Sequence, residues 1–270
     1  MTTSATLHPL ATSEPWNLVA TAYAGEALQH FEVFAREALR LAELRPAARI
    51  VDVACGPGTV SVAAALGGAR ADCIDIAEGM LAELARRAAA AGVTGAIAAH
   101  LGDAQKLPFE SGVYDAAFSM FGVMFVPDRH AAFEEMRRVL KPGGRAIVSS
   151  WVPFVGPFGE LMNAVAELVP GLPLGGKLPL GSPDELRAEL GSAGFRDIRV
   201  ETVTYEMKAP SFDAFWDSIQ RTNAPLVLLK SRLGDRWTAL APKIRERIRA
   251  ALGDGPVVLG RGAYLGIGVA

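Results

Sequence analysis

Read as a pattern of apolar and polar positions, the chain alternates between two periods. Over 26–44 the apolar residues Leu28, Phe31, Ala35, Leu39 and Ala42 recur at helical spacing, and Arg45-Pro46 stops the predicted helix. A short β-branched run, 49–54, predicts a buried strand, and "TVSVAAAL" restarts a helix that ends at Gly67-Gly68. "RADCID" predicts a second strand, followed by the Ala-rich helix "AEGMLAELARRAAAAG", closed by Gly92. "GAIAAHLGD" and "YDAAFSMFG" predict the third and fourth strands, separated by the loop "AQKLPF". In the helix "DRHAAFEEMRRVL", Asp128 is placed to N-cap while Phe133, Met136 and Leu140 share a face. "KPGG" at 141–144 then stops the helix ahead of a fifth strand, "RAIVSSW".

Strands alternating with helices in this way predict βαβ units, an α/β fold with a doubly wound, mainly parallel sheet and helices on both faces. The alternation breaks at 151–181, a Pro-, Gly- and aromatic-rich stretch that reads as a lid or cap. A helix with Ser182 as N-cap and the alternating strand "DIRVETVTYEM" follow, then helical segments over 209–256 and a last strand, "GAYLGIGVA". The expected organisation is one compact domain: N-terminal helical cover 1–45, α/β core 46–152, lid and helix 153–195, and C-terminal strands with a helical insertion 196–270.

Composition narrows the partners. Half the residues are hydrophobic, 21% are charged and the formal net charge is −2, so nothing global attracts nucleic acid or an anionic membrane. The two cysteines, Cys55 and Cys73, form neither a disulfide framework nor a zinc spacing, and no metal site is expected. With no signal-like start and no apolar run long enough to span a bilayer, the expectation is a cytoplasmic protein, monomer or homodimer.

The candidate chemistry centres on "IVDVACGPGTVS". After a strand, Gly56 and Gly58 allow backbone N–H groups to approach a ligand, because no Cβ intervenes. Asp75 and Asp103 end the next two strands, the preferred ligand edge of such sheets. A carboxylate at Asp75 suits ribose hydroxyls, and Asp103 suits an adenine amino group with Met80 and Leu107 flanking the ring. A dinucleotide fingerprint would carry a third glycine where Ser61 stands. Asp52, just before the turn, disfavours a pyrophosphate and suits an ammonium. These residues describe a ligand with an adenosine and an amino acid. Cys55 reads as a space-filler, having no base or cation beside it in sequence.

The ordered set "VDVACGPG", "CIDIAEGML", "GDAQKLPF", "YDAAFSMFGVMFVPD" and "EEMRRVLKPGGRAIVSSW" resembles the class I S-adenosylmethionine-dependent methyltransferases, nearest the quinone-biosynthesis and small-molecule (type 11) branch, over about 20–150. The resemblance implies a Rossmann-like, seven-stranded sheet with its last strand antiparallel. It implies S-adenosyl-L-methionine as cofactor, with Ala54, Cys55, Gly56 and Gly58 holding the methionyl part, Asp52 supporting it and Tyr23 near its carboxylate. Asp75 would hold the ribose, Ile76 and Met80 line the adenine, Asp103 and Ala104 meet its edge, and Ser119 and Met120 sit close by. Ala54 departs from the family's first glycine, tolerable in an αR or β backbone but not at positive φ.

Methyl transfer is an in-line displacement in which positioning and exclusion of water supply much of the acceleration. No residue is assigned as catalytic. The four histidines, His8, His30, His100 and His130, read as exposed or packed. "SMFG" after the fourth strand lacks the Asn-Pro-Pro-Tyr with which related enzymes steer planar nitrogens, which favours a small-molecule acceptor. The expected acceptor wall is Trp16, Phe121, Met124, Trp151, Phe154 and Phe158, joined by Phe125, with Phe31 and Phe34 divided between core and wall. The expected function is methyl transfer to an apolar or aromatic small molecule. The alternatives are an NAD(P)-dependent oxidoreductase and a non-catalytic adenosylmethionine-binding module.

Overall fold

The buried, β-branched run of β1 (Arg49–Val53) sits at the middle of a seven-stranded sheet of order β3-β2-β1-β4-β5-β7-β6. The structure is a computed structural model that describes residues 7–153, 159 and 178–270; the aromatic pair Phe154 and Phe158 lies outside the described residues. Parallel pairing joins β1 to β2 (Arg70–Asp75) and β4 (Tyr114–Met120), β2 to β3 (Ile97–Leu101), and β4 to β5 (Leu140–Trp151). The last strand, β7 (Val257–Val269), runs antiparallel between β5 and β6 (Arg196–Ala209).

Both faces are covered, so the central strands are buried along most of their length instead of alternating between buried and exposed. One face packs Ile50, Phe118, Ile147 and Leu265 against α2 (Glu32–Ala42) and α3 (Thr59–Leu66). The other packs Val51, Val53, Ala117 and Val148 against α5 (Arg129–Val139) and α6 (Pro183–Ser192). α4 (Glu78–Ala90) follows β2 and buries Leu84 in the first of these cores. Asp128 and Ser182 act as N-caps, accepting from Ala131 N at 3.0 Å and Glu185 N at 3.2 Å. Three helices inserted between β6 and β7, α7 (Phe212–Thr222), α8 (Ala224–Leu233) and α9 (Arg236–Leu252), bury Phe212, Trp216, Leu229, Trp237 and Ile244 among themselves. α1 (Ser13–Ala22) packs on α4 and α8.

Two local expectations shift. The helix expected over 26–44 begins as a π turn, Tyr23–Ala27, then a 3₁₀ turn, Leu28–His30, before α2 starts at Glu32. Apolar spacing does not separate i+3, i+4 and i+5 closures, and here Tyr23 is turned onto Phe31, ring centres 5.3 Å apart. "KPGG" does not separate helix from strand: β5 already starts at Leu140, paired with Tyr114, and a register irregularity absorbs the glycines before Ala116 meets Arg145. No helix among the described residues is long and apolar enough to cross a membrane.

Candidate cofactor and acceptor site

Strand order reverses at β1, which lies between β2 and β4, and the loops beyond that switch point open into a crevice. The turn leaving β1 climbs through three left-handed residues, Ala54 (φ 52°), Gly56 (φ 54°) and Gly58 (φ 74°). The two glycines serve different needs. A Cβ on Gly56 would meet open space within the crevice, so its freedom keeps the backbone accessible. A Cβ on Gly58 would collide with Leu84 of α4, so its freedom is spent on packing. Ala54 takes the positive φ that an alanine pays for, and its methyl sits against Gly122, where any Cβ would overlap Ala54 Cβ and lie 3.0 Å from Ala54 O. Gly122, beyond the end of β4, is a residue the sequence reading missed; the close approach of Ala54 leaves no room for a side chain there.

Asp75 locks this turn. One carboxylate oxygen accepts from Gly56 N at 2.8 Å and the other from Ala77 N at 2.9 Å, just ahead of α4. The Ile76 N–H also acts on this carboxylate, and the acceptor capacity that remains can take a ligand donor. Burial raises the Asp75 carboxyl above the ordinary range against these backbone bonds. Asp52 is deeper, 2% exposed, and accepts from the Ser61 hydroxyl. Burial pushes it up to about 7, opposed by Ser61 and assisted by the nearby Asp75 charge. Two desolvated carboxylates beside one turn gain from a cationic ligand. Burial and the neighbouring Cys73 push the Cys55 thiol up, in keeping with a packed, unreactive side chain.

The crevice is a cavity of about 650 Å³. Of the residues singled out from sequence, Tyr23, Asp52, Ala54, Cys55, Gly56, Asp75, Ile76, Met80, Asp103, Ala104 and Met120 line it, as do Trp16, Phe121 and Trp151. Ile76, 37% exposed, presents an apolar side chain to it. Asp103 is exposed and bound by Gln105, whose Nε2 reaches both carboxylate oxygens at 2.9 and 2.8 Å and whose Oε1 accepts from Asp128 N at 3.0 Å. Trp16 is held by a 2.9 Å bond from its indole N–H to Leu10 O and tilts against Phe125.

Three expected site residues are placed elsewhere, with Leu107. Gly58 faces Leu84 as described. Ser119 is fully buried and its hydroxyl accepts from Val123 N at 3.1 Å, holding the turn after β4. Met124 and Leu107 belong to the core under α5, because the 3₁₀ turn Val123–Phe125 points Met124 inward and leaves Phe125 on the wall.

The end of the cavity beside β5, β7 and β6 is aromatic. Phe121 (φ 60°) stacks on Trp151, ring centres 4.0 Å apart at 22°, and Phe31 and Phe34 meet both rings edge-on. Phe34 is 1% exposed, so it serves core and wall together. Within this aromatic end stand polar groups that the sequence reading did not bring forward: Arg261, with its guanidinium carbon 4.5 Å from the Trp151 ring centre, and the pair His30 Nδ1 and Tyr205 OH at 3.1 Å. A single charge in the otherwise apolar "VVLGRGAYLGIGVA" is the sequence signal that could have found the arginine.

A family profile described as "Methyltransferase domain" matches residues 50–144. Nocamycin O-methyltransferase of Saccharothrix syringae is 30% identical over 257 residues, covering 87% of this chain and 90% of its own. An uncharacterised protein of Mycobacterium tuberculosis is 36% identical over 132 residues, 49% of this chain and 47% of its own, so the chain spans about half the length of such relatives. A solved structure titled as the [4+2]-cyclase SpnF superposes with a TM-score of 0.62 at 18% identity, covering 97% of this chain and 98% of its own; that likeness speaks for the fold alone. With this turn, these strand-end carboxylates and this relative, the chain belongs to the S-adenosylmethionine-dependent methyltransferases. The residues present fit that cofactor: an open glycine cradle at Gly56, two desolvated carboxylates beside the same turn, and apolar Ile76 and Met80 on the cavity wall.

Proposed function

We propose that this chain transfers a methyl group from S-adenosylmethionine to an apolar or aromatic small molecule. The observation that carries the reading is one continuous cavity, with the Gly56 turn, Asp75 and Asp103 at one end and the Phe31, Phe34, Phe121 and Trp151 box at the other. S-adenosylmethionine, when bound, supplies a methyl group on a positively charged sulfur. Asp75 and Asp103 orient the nucleoside from the ends of β2 and β3, the Gly56 backbone approaches the amino-acid part, and Asp52 offsets positive charge. The aromatic box holds the acceptor and excludes water, so positioning carries the acceleration. The segments 1–45, 46–152 and 196–270 are read as cover, cofactor core and acceptor-side addition to one domain; the lid expected within 153–195, with Phe154 and Phe158, lies mostly outside the described residues.

The test is release of S-adenosylhomocysteine on incubation of the purified chain with S-adenosylmethionine and a library of aromatic and alicyclic small molecules. Acceptor-dependent release supports the reading. Tight cofactor binding with no turnover of any acceptor would favour a non-catalytic binding module.

A further inference from the structure

His30 closes the 3₁₀ turn ahead of α2 and Tyr205 lies on β6, yet the two side chains meet on the cavity wall. The imidazole Nδ1 and the phenol oxygen are 3.1 Å apart, and the rings tilt at 50° with centres 5.7 Å apart. The sequence offers only an exposed or a packed reading for His30. In the fold the ring is half-buried with Nδ1 engaged, which leaves Nε2 as the ring nitrogen without a hydrogen-bond partner among the described residues. The groups around the ring set its charge. Tyr205 faces it from β6, and Arg261, opposite Tyr205 in the register, acts on it from β7. Tyr23, in the π turn, has its phenol raised above the ordinary range by burial, so it stays neutral. Glu26, on the same turn, is bonded to Arg221 and Ser218 of α7. Phe31, Phe34 and, from α7, Ile219 and Thr222 bring no charge to the wall. Burial and then the Arg261 charge hold the imidazole below its usual range, so at neutral pH it is uncharged and able to take a proton.

Positioning brings a nucleophile to the methyl group but does not dispose of a proton. A neutral amine attacks with its free lone pair and sheds its proton afterwards, and a carboxylate has none to lose. A hydroxyl oxygen is different: without a base it would become a protonated ether as the new bond forms. A neutral imidazole on the acceptor wall answers that need. Its lowered proton affinity also limits the partner. An aliphatic alcohol is too weak an acid to share a proton with such a base, whereas a hydroxyl on a flat unsaturated ring is not.

We propose that His30 Nε2 is the catalytic base for methylation of a phenol or enol hydroxyl, and that Tyr205 is a positioning residue that accepts from Nδ1–H and so keeps Nε2 bare. This rests on the methyl-transfer reading and names the acceptor class for that site. The methyl–oxygen bond forms as the methyl–sulfur bond breaks, with the electron pair of the broken bond staying on sulfur. The hydroxyl proton passes to Nε2 in the same step and leaves to water once the product departs. The Nδ1–H bond to Tyr205 persists in both charge states of the ring, because the phenol oxygen is the acceptor throughout.

The first test is nitrogen NMR of the full chain carrying isotope-labelled histidine, with His30→Gln assigning the signal. At about pH 7.5 the His30 ring is expected to hold its proton on Nδ1, and it should become charged only below 6.5. Tyr205→Phe should give a mixture of tautomers. A wild-type ring protonated on Nε2 overturns the proposal. The second test is release of S-adenosylhomocysteine with 2-naphthol as acceptor probe and the weakly acidic 2-naphthalenemethanol as comparison. The wild type is expected to methylate the naphthol at least about tenfold faster. His30→Gln should lower kcat about 100-fold at neutral pH, with KM and S-adenosylhomocysteine affinity changed less than about threefold. The variant's remaining rate should climb as the acceptor ionises unaided, near pH 10 for a phenol at about its ordinary value, where the wild type has already levelled off. Tyr205→Phe should lower kcat about three- to tenfold, and it carries the kinetic test should His30→Gln fail to fold. No methylation of 2-naphthol by the wild type, a loss that sits in KM instead of kcat, or variant and wild type sharing one pH profile overturns the proposal. Absence of S-adenosylhomocysteine binding in the wild type would instead strike the methyl-transfer reading itself.

Discussion

The contact between Ala54 and Gly122 lends itself to a double-mutant cycle. Ala54 holds φ at 52°, where a Cβ crowds the following carbonyl, and release by Ala54→Gly is expected to stabilise the chain by about 1 kcal/mol. Gly122 sits at φ −97°, which any residue adopts, so Gly122→Ala carries no backbone penalty. Its new methyl would overlap the Ala54 methyl and press on Ala54 O at 3.0 Å, an overpacking expected to cost about 2–3 kcal/mol. In the double variant the methyl overlap is gone and only the carbonyl contact remains. The cost of Gly122→Ala should then fall to about 1 kcal/mol, a coupling of about 1–2 kcal/mol. Urea unfolding of the four proteins measures this, and titration with S-adenosylhomocysteine reports whether the turn keeps its shape. Gly122→Ala alone should weaken binding and the double variant should recover it. Additive stabilities within about 0.5 kcal/mol would refute the claim that the Ala54 methyl is what keeps a side chain out of position 122.

Two further outcomes follow from the turn and its carboxylates. Gly56→Ala forces an L-residue to φ 54° but meets open space, so unfolding free energy should drop only about 1 kcal/mol while S-adenosylhomocysteine affinity falls more steeply; equal losses in both would make the residue a structural turn alone. Asp52 titrates near 7 in the fold against 3.8 for an ordinary aspartate, so its contribution to stability is present below about pH 4 and is lost as pH rises through about 7. The stability of the wild type relative to Asp52→Asn should therefore decline over that window in urea unfolding at stepped pH, and a flat difference would show that the carboxylate is not desolvated.

What could be read from the chain, and what could not, follows from where each signal resides. The strands at 49–54 and 70–75 are local: a β-branched or alternating run ending in an acid, then a helix start, so Asp52, Gly56 and Asp75 were legible together with the sheet that aligns them. Glycine's purpose was not legible. Gly56 and Gly58 look alike in sequence, and only the packing of Leu84 separates the one that faces the cavity from the one that faces a helix. Met124 and Phe125 are neighbours of similar hydrophobicity, and a 3₁₀ turn decides which faces inward. Arg261, Tyr205 and His30 come together from segments as much as 231 residues apart through antiparallel register and an irregular helix start, neither of which apolar spacing encodes.

The central claim, that the cavity is built for an adenosyl amino acid held by the strand-end carboxylates, is tested most directly by calorimetry of wild type and Asp75→Ala with S-adenosylhomocysteine, with NAD as comparison. Asp75 accepts two charge-assisted bonds from the backbone N–H groups of Gly56 and Ala77 and is proposed to accept from ribose hydroxyls as well, each such bond contributing about 1.5–3 kcal/mol at most. The account predicts saturable binding of S-adenosylhomocysteine at one site per chain, none of NAD, and at least a tenfold loss of affinity in a variant that still unfolds cooperatively. Binding of NAD in preference to S-adenosylhomocysteine, or an Asp75→Ala variant with wild-type affinity, would contradict it.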